Sequence, residues 1–133
     1  MVQHPKSKEW DDNLRKMFDR IDDYLEDKYG GLYPLHPNRM KRGTTSNKSM
    51  DGLFNVGASY SSGFGSKYGK GYVIEIYLST LAGVDPEVRL QIEGEVEGMV
   101  EKFLPEYFPG RNLDCEKDGH VLKIFGDLSL GAL

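Results

Sequence analysis

Apolar positions near the start of the chain recur with a helical rhythm. Trp10, Leu14, Met17, Phe18, Ile21, Tyr24 and Leu25 follow three- and four-residue steps, which at about 100° per residue gathers them on one side of a helix. Ser7 is placed to cap its start, and Gly30-Gly31 to end it with a left-handed residue. Asp11, Asp12, Asp19, Asp22, Asp23, Glu26 and Asp27 fall off the apolar arc and are expected to face solvent. The rhythm then stops. Pro34 and Pro37 oppose a helix, so 31–52 is expected to be irregular.

Alternation with period two takes over in LFNVGASY (53–60) and YVIEIYLST (72–80). It places Phe54, Val56, Ala58 and Tyr60 on one face of a first strand, and Tyr72, Ile74, Ile76 and Leu78 on one face of a second. The Gly-rich stretch 61–71 between them reads as the tip of a hairpin. Asp85-Pro86 is an N-cap followed by proline at the first helical position, and Val88, Ile92, Val96, Met99, Val100 and Phe103 form an inward stripe. Pro105 is expected to close this second helix. Last, Asp118-Gly119 suits a two-residue turn, which would pair Lys117 with His120, Cys115 with Leu122, Asp114 with Lys123 and Leu113 with Ile124. The elements run helix, hairpin, helix, hairpin. An α+β, two-layer domain with a mainly antiparallel sheet (α-ββ-α-ββ) follows, spanning 1–133 as one unit.

Composition narrows the functional classes. A single cysteine rules out an internal disulfide framework, and the scattered His4, His36 and His120 give no metal-ligand spacing, so neither metal nor cofactor is expected. The first residues, MVQHPKSKEWDD, contain no apolar signal core, and no run nears the roughly 18 apolar residues of a membrane span. A cytoplasmic protein is expected.

Charge is distributed unevenly. The net value of −4 hides −2 over residues 1–30, +5 over 31–71 and −7 over 72–133. Arg39, Lys41, Arg42, Lys48, Lys67 and Lys70, interleaved with Tyr33, Tyr60, Phe64 and Tyr68, have the composition of a track for single-stranded nucleic acid or another phosphorylated ligand. Arg39, Lys41, Arg42, Lys67, Tyr68 and Lys70 are its candidate binding residues. Phosphate-loop spacing is absent, because Gly69-Lys70 is followed by Gly71 and a strand rather than Ser or Thr and a helix. Nor does the strand reproduce the aromatic strand of RNA-recognition modules, since Val73, Ile74 and Glu75 stand inside the required pattern.

No nucleophile and base stand out. Cys115 belongs on the core face, and Glu93, Glu97 and Glu101 form a solvated row lacking histidine partners. Gly94 and Gly98 are less ordinary. They lie opposite the inward stripe beside Leu90, Glu101 and Leu104, and each costs about 1 kcal/mol relative to alanine. Close approach by the first helix or by a second copy would account for them. The outer sheet face would show Val73, Tyr77, Val121 and Phe125 among charges, and Leu128, Leu130 and Leu133 leave an apolar tail to dock. The expected function is a small non-catalytic interaction module, self-associating or binding a protein partner. Leu90, Gly94, Gly98, Tyr77 and Phe125 are its candidate interface, with nucleic-acid or phosphorylated-ligand binding as the alternative.

Overall fold

A computed structural model describes residues 5–45, 50–62, 69–119 and 121–128. Helix α1 spans Pro5–Tyr29, strands β1 and β2 Phe54–Ser61 and Gly71–Leu78, helix α2 Pro86–Tyr107, and strands β3 and β4 Leu113–Asp118 and Val121–Gly126. The two hairpins join into one antiparallel sheet in the order β1-β2-β4-β3. Helix α1 packs on β1, α2 on β3, and the helices on each other. Trp10, Met17, Ile21 and Leu25 of α1 and Ile92, Val96 and Val100 of α2 share one core with Phe54, Ile74, Leu122 and Ile124 of the sheet. This is the two-layer α+β arrangement that the alternating periods predict.

Several local expectations are corrected by tertiary packing. Among the described residues α1 begins at Pro5, so Ser7 lies inside the helix rather than capping it. At the other end neither Gly30 nor Gly31 has positive φ. Gly30 is needed for close approach instead, because a Cβ there would collide with the carbonyl and carboxylate of Glu26. Asp22 and Glu26 are buried, not solvated. Glu26 Oε1 accepts the Phe54 amide at 2.7 Å, which satisfies both groups inside the α1–β1 contact.

Helix α2 begins as expected, with Asp85 Oδ1 accepting the Glu87 amide at 2.9 Å and Pro86 next in line. It continues past Pro105 to Tyr107, because Phe103, Leu104 and Phe108 bury around the proline and hold the last turn. Leu104 is therefore a core residue, not a neighbour of the outward glycines. In the second hairpin Asp118 pairs with Val121 and Gly119 turns the chain with φ of 67°, while His120 lies outside the described residues. The register is two residues from the expected one. Cys115 faces Ile124, Glu116 faces Lys123 and Lys117 faces Leu122. A two-residue shift preserves the faces, so Cys115, Leu122 and Ile124 remain inside.

Candidate functional site

The two arginines of the basic segment are held by the fold. Arg39 Nε donates to the Gly52 carbonyl at 2.8 Å, and Nη2 to the carbonyls of Asp51 at 2.9 Å and Phe54 at 3.2 Å. Its guanidinium thus closes the loop that enters β1. Arg42 Nη1 meets Asp27 Oδ1 at 2.6 Å and Nη2 meets Asp23 Oδ1 at 3.1 Å, strapping the same loop to α1. Asp51 is buried and accepts the Thr45 amide at 2.8 Å and the Thr45 hydroxyl at 3.2 Å. Those bonds, the Gly43 amide and the Arg39 charge hold its carboxyl below the usual range although burial acts upward. Lys41 and Lys70 are exposed, and Lys67 and Tyr68 lie outside the described residues. The two arginines, the residues best suited to phosphate, are thus engaged within the chain.

Beside Arg39 lies an open hollow of about 280 Å³ lined by His36, Asn38, Arg39, Leu78, Ser79 and Thr80. The His36 amide donates to the Ser79 carbonyl at 2.7 Å, and His36 Nδ1 accepts the Asn38 amide at 3.1 Å. Thr80 Oγ1 accepts the Ala82 amide at 3.1 Å. The His36–Ser79 bond pins the loop leaving β2 to the loop leaving α1, and the other two fix each loop locally. Among the described residues no group of three His, Cys, Asp or Glu side chains could hold a metal ion.

The acidic row on α2 is also redistributed. Glu93 Oε2 lies 3.6 Å from Lys117 Nζ. Glu95, outside the row that the four-residue spacing selects, is the hub: its carboxylate accepts the Tyr24 hydroxyl at 2.8 Å, together with Lys28 Nζ and the Tyr29 hydroxyl. Burial opposes ionisation of Glu95, and these three donors overcome it, leaving the carboxyl below its ordinary value. Cys115 is 1% exposed, and burial together with Glu97, Glu101 and Glu116 pushes its thiol up to about 12. A thiol so placed is protonated at neutral pH.

Two surfaces remain. On α2, Leu90 is 58% exposed, and a Cβ at Gly94 or Gly98 would meet nothing within 4 Å. Contact with α1 therefore does not explain these glycines. On the outer sheet face Tyr77 is 57% exposed, Val121 is exposed, and Val73 and Phe125 are half-buried, with no described helix over them. Glu75, Asp114 and Glu116 are exposed there too. Lys123, on the same face, is buried: its ammonium donates to the Gly69 carbonyl and lies 3.6 Å from Asp118 Oδ2. Period-two counting finds its face but not its burial, since its Gly69 partner is distant in sequence.

A family model described as an uncharacterised protein matches residues 5–126, the span from the first residue of α1 to the last of β4. The chain belongs to that family. It is 42% identical over 106 residues to an uncharacterised protein of Borreliella burgdorferi, an alignment covering 80% of this chain and 83% of the relative. No solved structure matches the chain. No described helix is long and apolar enough to cross a membrane.

Proposed function

We propose that the protein is a small non-catalytic interaction module that acts by associating with itself or with a protein partner. The carrying observation is the outward strip of α2, where exposed Leu90 leads to two glycines with open space before them. A helix keeps such a strip at a cost of about 1 kcal/mol per glycine, and a backbone approaching closely in a complex would offset that cost. Exposed Tyr77 and Val121 offer a second apolar surface. A cytoplasmic setting belongs to the same proposal.

The competing reading, a phosphate-binding track through Arg39, Lys41, Arg42, Lys67, Tyr68 and Lys70, is weakened by the engagement of both arginines. Amide spectra recorded over a dilution series test the proposal. Concentration-dependent shifts confined to one contiguous surface patch are expected. Spectra that ignore concentration, combined with oligonucleotide-induced shifts at Lys41 and Lys70, would overturn it.

A further inference from the structure

Among the described residues, the edge of the sheet at β1 is filled at Phe54 and has no strand paired at Val56, Ala58 and Tyr60. Phe54 directs both backbone groups away from β2: its amide donates to Glu26 Oε1 at 2.7 Å and its carbonyl accepts from Arg39 Nη2 at 3.2 Å. The neighbouring Leu53 carbonyl accepts the Ser79 amide at 2.7 Å, on the β2 side. Alternation then turns Asn55, Gly57 and Ser59 toward β2 and points the N–H and C=O of Val56, Ala58 and Tyr60 outward, like those of Phe54. No described strand or loop pairs with that outward row.

Chemistry distinguishes this edge from the opposite one. Natural edge strands are guarded by charge, proline or a bulge, because an open row of N–H and C=O groups is a template for another strand. The far edge, β3, carries Asp114, Glu116, Lys117 and Asp118. From Asn55 to Ser61, β1 has no charge and no proline, and its pairing with β2 runs without a bulge.

We infer that β1 is a strand-addition site and that its occupant is a second copy of this chain, paired antiparallel about a two-fold axis at Ala58. This rests on the reading of the protein as an interaction module and assigns self-association to the sheet edge, leaving the α2 strip to a protein partner. The register follows from the open groups. Centred on Ala58, the pairing sets Val56 against Tyr60 of the second copy and Gly57 against its Ser59, so Val56, Ala58 and Tyr60 each exchange an N–H and a C=O. Shifting by one residue would turn bonded pairs into non-bonded ones and lose those exchanges. Every opposed pair from Asn55 to Ser61 is uncharged. Tyr60, 60% exposed and already edge-on to Tyr72 at 5.8 Å, gains a β-branched neighbour across the junction, a favoured cross-strand combination. Phe54, with its edge groups occupied, marks where the added strand stops.

Hydrogen exchange on the full chain, read amide by amide at low and high protein concentration, tests this. Protection of Val56, Ala58 and Tyr60 should rise with concentration, while Gly57 and Ser59 stay protected throughout by β2. Ser59→Lys adds an exposed edge charge, and Ala58→Pro removes an outward N–H that the native sheet does not use; each should weaken association by roughly tenfold or more. Using both variants guards against one failing to fold. Association that survives both edge variants while the Val56, Ala58 and Tyr60 amides exchange freely would overturn the edge assignment and leave the interaction module standing. A monomer at high micromolar concentration would overturn the edge assignment and leave a different protein partner as the module's remaining form.

Discussion

Arg39 spans three backbone carbonyls that no other donor among the described hydrogen bonds reaches. Truncating it strands those acceptors and removes the charge beside Asp51, so Arg39→Ala should lower stability by about 2 kcal/mol, and Arg39→Lys should recover little, since an ammonium cannot reproduce the fork. Urea unfolding measures both. Cys115 gives a second check: it should react slowly with a thiol reagent in the native state and fast after unfolding, and fast native labelling would contradict its burial. Its placement was legible in the sequence because strand parity survives a two-residue error of register. The burial of Asp22 and Glu26 was not legible. Glu26 is drawn inward by the Phe54 amide and by the room left at Gly30 and Gly52, contacts that helical spacing within α1 does not encode. Composition marked Arg39 as a cation and could not tell that its partners would be carbonyls.

At the scale of elements, the helices and strands were readable wherever a stripe met the core. The inward stripe of α2 from Val88 to Phe103 is buried or half-buried as the spacing requires. Ends were read less well, because Pro105 and Gly119 are governed by packing and turn geometry rather than by residue preference alone. The open space at Gly94 and Gly98 yields a direct prediction. With nothing to clash, Gly94→Ala and Gly98→Ala should each stabilise the isolated chain by about 1 kcal/mol. A loss of stability on thermal or urea unfolding would mean that a hidden contact exists. For the loop between α1 and β1, engagement of Arg39 and Arg42 leads to a further expectation. Labelled single-stranded RNA and DNA should bind no more tightly than ~10⁻⁴ M at moderate salt, the weak limit of non-specific electrostatic contacts. Low-micromolar, salt-sensitive anisotropy changes would restore the phosphate-binding reading.

Across the whole molecule, carboxylates tie the elements together, Glu26 joining α1 to β1, Asp51 the preceding loop to itself, and Glu95 α2 to α1. Asp51 and Glu95 are held below their ordinary values, so each binds its proton less tightly folded than unfolded. Their contribution is present above the unfolded carboxylate range and disappears as pH falls through the lowered folded values. Stability should therefore decline on the acid side, and the difference between the native chain and Asp51→Asn should shrink below about pH 4. The remaining uncovered features, an uncharged sheet edge and a glycine strip, are surfaces rather than a pocket with convergent chemistry. Sedimentation velocity of the native chain over a wide concentration range tests that view most directly. Mass rising from the 15.0 kDa of one chain toward a dimer is the predicted result. A chain that stays at 15.0 kDa throughout while binding oligonucleotides in the low-micromolar range would contradict it.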